Sequence, residues 1–179
     1  MEIKEIYKKE VVPALKDQFG FTNDLAVPKI EKISINVGLG KHFKDSRYME
    51  VVEDVLTRIS GQRPVKNRAR LSISNFKIRE GNIIGMSVTL RGNRMYDFLN
   101  KLLNVSIPRM RDFQGLNSKS VDKQGNLSIG FKEQLSFPEV NTDEVEIVHG
   151  LEVSIATSAQ TRDEGVALFT ALGFPFKKV

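Results

Sequence analysis

The residue types that usually carry catalysis or metal binding are scarce in this chain. It has no cysteine, and its only histidines are His42 and His149. Neither histidine has a second ligand at a spacing typical of metal sites, and no serine lies in a nucleophile-elbow motif. Disulfides, thiolate ligands and cysteine nucleophiles are therefore excluded, and acid–base catalysis by a histidine is a distant alternative.

A short glycine motif invites comparison with nucleotide-binding loops. Gly38-Leu39-Gly40 follows a predicted strand, but Phe43 stands where a dinucleotide fingerprint needs its third glycine. Ile35 stands where a phosphate-binding loop ending in Gly40-Lys41 needs its first glycine. The motif indicates a strand-end turn. We expect no enzyme, no cofactor, no metal and no small-molecule substrate.

The strongest chemical signal is a basic stretch from Gln62 to Met95. Glu80 is its only acid, so the stretch carries +7 while the rest of the chain carries −2. A charge run is usually a solvated surface, but here almost no acid offsets the repulsion, which favours a polyanionic partner. The basic residues are Arg63, Lys66, Arg68, Arg70, Lys77, Arg79, Arg91 and Arg94.

The sign of the charge reverses later in the chain. The segment from Glu133 to Glu164 carries −7 because Arg162 is its only basic residue. The chain is therefore an electrical dipole along its sequence. This separation of charge favours RNA binding by the basic stretch. The alternative is a protein-interaction module whose acidic end docks on a basic partner, with incidental RNA binding.

Length and composition predict a single domain over residues 1–179. Of the 179 residues 40% are hydrophobic, which is enough for a core. No apolar run approaches the roughly 18 residues that a membrane span needs, and the charged N-terminus does not resemble a signal peptide. We expect no membrane partner and a reducing, cytoplasmic compartment.

Hydrophobic periodicity predicts nine elements, in the order helix, strand, helix, strand, strand, helix, strand, strand, helix. The first helix has an apolar face formed by Ile3, Ile6, Tyr7, Val11 and Leu15. We expect a kink or break at Pro13 and the end of the helix at Gly20. Alternation over Lys29 to Gly38 predicts a half-buried strand. The second helix is capped by Asp45 or Ser46 and ends at Gly61.

The central region is predicted from similar patterns. Gln62 to Ile73 is a strand or extended chain, and a long basic loop follows near 72–84 with a Gly81-Asn82 turn. Met86 to Leu90 alternates as a strand, and Asn93 is predicted to cap the next helix.

The last third begins with a loop-rich region near 107–126. Leu127 to Phe131 and Leu151 to Ile155 alternate as strands. Thr161 and Glu164 have the spacing of a capping box before the last helix. The whole order predicts an α+β fold of two layers, with a mostly antiparallel sheet, helices on one face, and a ferredoxin-like, split β-α-β theme.

The strand faces that point away from the predicted core share small polar side chains. Such an open face can hydrogen-bond phosphates and 2′-hydroxyl groups, although an ordinary solvated sheet face is the plainer interpretation. It lacks the aromatic residues that stack single-stranded bases, so we expect recognition of a folded RNA by shape and backbone. The residues are Ser34, Asn36, Gly38, Ser87, Thr89, Arg91, Ser128 and Gly130.

Collinear motifs over nearly the whole chain closely resemble the family of bacterial large-subunit ribosomal protein five. They include Ile59-Ser60-Gly61-Gln62-Arg63-Pro64-Val65, Arg68-Ala69-Arg70, Ser74-Asn75-Phe76-Lys77-Ile78-Arg79-Glu80-Gly81, Val88-Thr89-Leu90-Arg91-Gly92, Pro108-Arg109-Met110-Arg111-Asp112-Phe113, Gly130-Phe131-Lys132-Glu133-Gln134, Phe137-Pro138-Glu139 and Phe174-Pro175-Phe176. Together these motifs are highly specific. The resemblance implies a structural protein that binds 5S rRNA and large-subunit rRNA in the central protuberance.

The resemblance also implies which residues contact which partner. For 5S rRNA they are Ser34, Asn36, Gly38, Gln62, Arg63, Lys66, Arg68, Arg70, Thr89 and Arg91. For the transfer RNA in the peptidyl site they are Phe76, Lys77, Arg79 and Gly81. For a basic protein of the small-subunit head they are Arg109, Arg111, Asp112, Phe113, Asp143, Glu144 and Glu146.

Three positions depart from the pattern that the resemblance implies. Asn67 stands where threonine is expected, which keeps hydrogen bonding but alters the shape of the side chain. Leu71 stands where lysine is common, and Gln114 where arginine is common. Because the last two each remove a positive charge, neither is expected to contact phosphate.

Overall fold

The protein is described by a computed structural model over residues 3–140 and 147–177. Five strands form one antiparallel sheet in the order β2-β3-β1-β5-β4. Helices cover one of its faces, so the predicted α+β two-layer fold is confirmed. The strands are β1 Ile30–Gly38, β2 Val65–Arg68, β3 Ile83–Leu90, β4 Leu127–Phe131 and β5 Leu151–Thr157.

The α-helices follow the predicted order. They are α1 Ile3–Ile6, α2 Val12–Phe19, α3 Ser46–Ser60, α4 Gly92–Lys101 and α5 Arg162–Ala171. A π-helical turn, Tyr7–Val11, joins α1 to α2, and another, Leu102–Ser106, follows α4. In the described part of the chain no helix is long and apolar enough to cross a membrane.

The interruption predicted at Pro13 takes the form of a wider turn. Proline has no backbone N–H, so it cannot donate to the carbonyl one turn earlier, and its ring crowds that carbonyl. The π turn Tyr7–Val11 lies just before Pro13 and accommodates it without a break in the helical path. The segment ends as predicted at Gly20, whose φ of 72° requires glycine.

The first strand carries the centre of the core. Ile33, Ile35 and Val37 are no more than 1% exposed, as the alternation predicted. Full burial of such a side chain contributes about 1.5–3 kcal/mol each. Because β1 lies between β3 and β5, its residues are paired on both sides, and a register shift of one residue would turn these side chains away from the helices.

Helix α3 begins and ends as predicted. Asp45 caps it by accepting hydrogen bonds from the backbone N–H groups of Arg47 (3.0 Å) and Tyr48 (3.3 Å). Gly61 closes it in the left-handed conformation. The ammonium group of Lys101 also donates to the carbonyl of Ile59 at 2.6 Å, so α4 satisfies a carbonyl at the C-terminal end of α3.

One prediction near α4 is wrong. Asn93 does not cap the helix, because the helix begins at Gly92 and Arg91 holds the N-cap position without a side-chain hydrogen bond. Arg91 directly follows Leu90, the last residue of β3, and its backbone is still extended.

Helix α5 packs closely against a turn between Asp122 and Asn126. Thr161 caps the helix by accepting from the N–H of Glu164 at 3.3 Å, and the Glu164 carboxylate accepts from the N–H of Gln160 at 2.9 Å. A Cβ on Gly165 would lie 2.4 Å from the Cα of Gly125. The two glycines therefore allow the backbones to touch.

Candidate nucleic-acid interface

The face of the sheet opposite the helices presents rows of mostly small, polar residues. Strand register aligns Val65, Ser87, Asn36, Glu152 and Gly130 in one row across all five strands. These five residues are exposed or half-buried, while the alternate residues of the central strands are buried. We call this surface the open face.

A second row of hydroxyl groups runs beside the first. Register aligns Thr89, Ser34, Ser154 and Ser128 across β3, β1, β5 and β4. The hydroxyl groups of Ser128 and Ser154 are 3.2 Å apart. Four neighbouring hydroxyls supply both donors and acceptors at short spacing, which suits phosphates and ribose 2′-hydroxyl groups.

The two glycines of the open face are not required by the fold. A Cβ added to Gly38 or Gly130 would meet no atom within 4 Å. Neither residue has a positive φ. Glycine at these positions leaves room for a partner's backbone to come close, which a side chain would prevent.

One border of the open face carries exposed guanidinium groups. Arg68 and Arg70 extend from β2, and Arg91 and Arg94 lie where β3 passes into α4. All four are exposed, and they have no ion pair among residues 3–140 and 147–177. Unpaired guanidinium groups beside a polar surface attract phosphate.

Arg63 and Lys66, by contrast, are paired at the edge of the helical layer. The Glu53 carboxylate of α3 contacts Arg63 Nε at 3.0 Å and Lys66 Nζ at 2.7 Å. The hydrogen bond from Lys66, and then that from Arg63, hold the pKa of Glu53 below its ordinary value. The structure thus separates these two cations from the open face. Gln62 stays near it, since its side-chain amide donates to the Thr89 carbonyl at 3.4 Å.

The basic loop between β2 and β3 is an ordered hairpin arm, residues 69–82. At its base Ala69 and Asn82 are joined by a backbone hydrogen bond of 2.8 Å, and near its tip Ile73 and Ile78 exchange two hydrogen bonds. A single 3-10 turn, Ser74–Phe76, forms the tip. The connection therefore lies earlier in the chain than the predicted loop near 72–84, because β2 ends at Arg68 and β3 already begins at Ile83.

The arm exposes apolar side chains next to its charges. Leu71 is 74% exposed and Phe76 is 69% exposed. Lys77 and Arg79 flank this surface without an ion pair in the described part of the chain. Gly81 has a φ of 84°, which a left-handed turn requires, so its role in the hairpin is structural. An exposed aromatic ring between cations is suited to a nucleic acid.

A cleft of 520 Å³ lies at the opposite edge of the sheet, between β4 and the segment 110–117. Backbone hydrogen bonds from Leu116 N–H to Pro175 O (2.7 Å) and from Lys177 N–H to Leu116 O (2.9 Å) fix the outer wall. Arg109, Arg111 and Asp112 are exposed on this wall, and Arg111 reaches Glu133 at 3.8 Å.

Near this cleft, Phe113 is half-buried in its wall. Gln114, at a position where the resemblance implies arginine, accepts from Lys177 Nζ at 3.5 Å. Asp143, Glu144 and Glu146, predicted to contact the small subunit, lie outside the described residues.

The histidines serve packing and structure in the described part of the chain. The backbone N–H of His149 donates to the side-chain oxygen of buried Gln134 at 2.7 Å. Burial lowers the pKa of His149, and its Nε2 atom has no hydrogen-bond partner. His42 stacks on Tyr48 with ring centroids 4.7 Å apart. No group of three possible metal ligands occurs among residues 3–140 and 147–177.

An extended polar surface bordered by unpaired guanidinium groups is typical of proteins that bind nucleic acid by its backbone and shape. Sequence comparison gives the family. Residues 23–79 match the model of ribosomal protein L5, and residues 83–176 match the model of the C-terminus of the same ribosomal protein family. The chain belongs to the ribosomal protein L5 family and is not an enzyme.

Curated relatives from three organisms are similar to this chain over nearly the full length of both sequences. The large ribosomal subunit protein uL5 of Desulfotalea psychrophila is 50% identical over 176 residues, which are 98% of each chain. That of Thermoanaerobacter sp. is 48% identical with the same coverage. That of Colwellia psychrerythraea is 49% identical over 99% of this chain and 98% of the relative.

Proposed function

We propose that this chain is a structural component of the large ribosomal subunit in the cytoplasm, where it binds 5S rRNA through the open face. The single observation that carries the proposal is the open face itself. Two rows of small polar residues cross the sheet, and Gly38 and Gly130 leave space that the fold does not need. Membership in a ribosomal protein family supports rRNA as the polyanion.

The 5S rRNA ligands fall into three groups by their positions. Ser34, Asn36, Gly38 and Thr89 belong to the open face, where they contact phosphates and ribose groups. Gln62, Arg68, Arg70 and Arg91 border it and supply polar groups and charge. Arg63 and Lys66 contact the RNA only where it wraps past β2, since Glu53 already neutralises part of their charge.

Two further contacts complete the proposal. The hairpin arm approaches the peptidyl-site transfer RNA with Phe76, Lys77 and Arg79 at and near its tip and Gly81 near its base, which is supported by its exposed aromatic ring and unpaired cations. The segment Arg109 to Phe113, beside the cleft, meets a basic protein of the small-subunit head, together with Asp143, Glu144 and Glu146. We also propose that residues 1–179 act as one domain that contacts large-subunit rRNA.

The decisive test is the affinity of purified protein for 5S rRNA and for an unrelated RNA duplex of equal length. Asn36→Ala with Thr89→Ala removes two hydrogen-bonding groups from the open face. Each is worth about 0.5–1.5 kcal/mol, so 5S affinity falls by about tenfold or more.

The matched control is Glu50→Ala with Thr170→Ala, two exposed residues on helices α3 and α5. This variant keeps wild-type affinity. Equal effects of the two double variants would contradict the assignment of the open face. Equal affinity of the wild type for 5S rRNA and the unrelated duplex would contradict specific recognition.

A further inference from the structure

We propose that the cleft between β4 and the segment 110–117 binds a single unpaired nucleotide that is turned out of the bound rRNA. The inference rests on the proposed function, because it adds a base-specific site to a surface that otherwise recognises RNA by shape. A cleft of 520 Å³ lies within the range of about 300–1,000 Å³ that small-molecule sites occupy.

The cleft is continuous with the open face. Ser128 and Gly130 belong to the two rows of the open face and also line the cleft. RNA that lies on the open face therefore reaches the mouth of the cleft without leaving the protein. Only a nucleotide released from its stack can enter, since a paired helix is too wide for this space.

The charge of the lining favours an anion. Arg111 is paired with Glu133 at 3.8 Å, so their charges compensate. The remaining charged residues of the lining are Lys132 and Lys177 against Asp112, a net positive charge suited to one phosphate.

The side-chain amides of Gln114 and Asn117 in the lining use their oxygen atoms in hydrogen bonds and leave their NH₂ donors unused among the described residues. Gln114 Oε1 accepts from Lys177 Nζ at 3.5 Å, and Asn117 Oδ1 accepts from the N–H of Lys119 at 2.9 Å. Their NH₂ groups have no partner in the described part of the chain. Two donors favour a base edge with two neighbouring acceptors, which guanine offers at O6 and N7. The half-buried ring of Phe113 supplies an apolar wall for the base.

An extended polypeptide paired with the outer edge of β4 is the competing occupant. The positive lining and the continuity with the open face favour RNA inside the cleft, while the head protein proposed above meets the exposed side chains on the outside of the segment Arg109 to Phe113. The following experiment separates the two.

Because the chain has no cysteine, one can be introduced as a probe. Ser120→Cys places a thiol in the cleft lining, and Glu50→Cys places one on the exposed surface of α3 as a control. The rate at which maleimide alkylates each thiol is measured in three states: the free protein, the protein with saturating 5S and large-subunit rRNA transcripts, and the protein in complete large subunits.

We expect the rRNA transcripts to slow alkylation in the cleft by at least tenfold and to leave the control rate unchanged. Unchanged alkylation in the cleft while RNA is bound overturns the nucleotide site but not the proposed function. Protection only in complete subunits also overturns it, in favour of a polypeptide occupant. Failure of the wild type to bind 5S rRNA overturns both.

A second measurement tests the base. Gln114→Glu and Asn117→Asp keep the oxygen that each side chain uses now and remove its NH₂ donors. Base-selective chemical probing of the complexes should show one unpaired base that the wild type protects and the double variant exposes. Protection elsewhere stays the same. Identical footprints, with both proteins bound and melting at the same temperature, overturn the inference.

Discussion

Two glycines that face each other across β1 and β3 differ in what they do. Gly38 pairs with Gly85, yet a Cβ on Gly38 meets nothing within 4 Å while one on Gly85 lies 3.0 Å from the carbonyl oxygen of Val37. Folding therefore requires glycine at one position of the pair and permits a side chain at the other. Sequence shows two glycines in strands and cannot tell which is which.

This contrast gives a paired prediction. Gly38→Ala should leave the free energy of unfolding unchanged or raise it slightly, because alanine restricts the unfolded chain, while 5S rRNA affinity falls. Gly85→Ala should lower the free energy of unfolding by about 1 kcal/mol or more through overpacking. Urea denaturation and RNA titration measure both. A destabilised Gly38→Ala variant would mean that glycine at position 38 serves folding.

The buried histidine predicts a pH dependence of stability. The folded-state pKa of His149 lies below the ordinary value of 6.5 because of burial, so the unfolded chain binds a proton that the folded chain does not. Stability is then complete above about pH 6.5 and falls as pH decreases from there toward the folded pKa.

His149→Phe should flatten the curve of unfolding free energy against pH in that window, as denaturant titrations at intervals from about pH 7.5 to about pH 5 would show. A His149→Phe curve parallel to that of the wild type would locate the proton uptake in another group.

Among the cations, sequence predicted a single basic stretch, and the structure divides it. Arg63 and Lys66 are as basic as Arg68 and Arg70 in the sequence, but α3 brings Glu53 to the first two and not to the others. The partner lies at least ten positions away on a separate element. Charge counting along the chain cannot show such a pairing, because it depends on how the helix packs.

At the scale of elements, periodic segments were predicted well and their ends less well. The strands β1, β4 and β5 and the faces of α3 and α5 follow from alternation and helical spacing, because one side of each must be buried. The hairpin arm was predicted as a loop, since most of its side chains between Arg70 and Glu80 are exposed and leave no burial pattern. The start of α4 was misplaced at Asn93, because a strand can pass into a helix without a capping side chain.

The contact between α5 and the preceding turn predicts an unusual effect of alanine. In an exposed helix, Gly→Ala is stabilising by up to about 1 kcal/mol. At Gly165 the added Cβ would lie 2.4 Å from Gly125 Cα, which is backbone and cannot rotate away. Gly165→Ala should therefore lower the free energy of unfolding by about 2–3 kcal/mol.

For a chain of this size that loss corresponds to a decrease in Tm of about 4–12 °C, which calorimetry would measure. Gly130→Ala is the matched control, since the same atom is added where nothing lies within 4 Å, and its Tm should stay within about 2 °C. A Gly165→Ala variant as stable as the control would mean that α5 can move away from the turn at little cost.

At the scale of the whole molecule, the basic stretch of the sequence is concentrated on one part of the surface. The basic stretch supplies the β2–β3 border of the open face and the hairpin arm, while the row of the open face that begins at Val65 contains one acid, Glu152. Phosphate is attracted most strongly to the β2–β3 border. The arrangement orients an approaching RNA before any hydrogen bond forms.

This orientation predicts how binding depends on salt. Each cation that neutralises a phosphate of duplex RNA contributes roughly 0.9 to the slope of log K against log salt, if RNA resembles B-DNA in this respect. Arg68→Ala with Arg70→Ala should therefore reduce the magnitude of the slope for 5S rRNA by about 1.8. Lys4→Ala with Lys8→Ala removes the same charge from exposed positions of the N-terminal helical segment and should leave the slope nearly unchanged. Filter binding from about 50 to 300 mM salt measures both, and equal slopes for the two double variants would show that the whole positive field, and not the β2 border, sets the affinity.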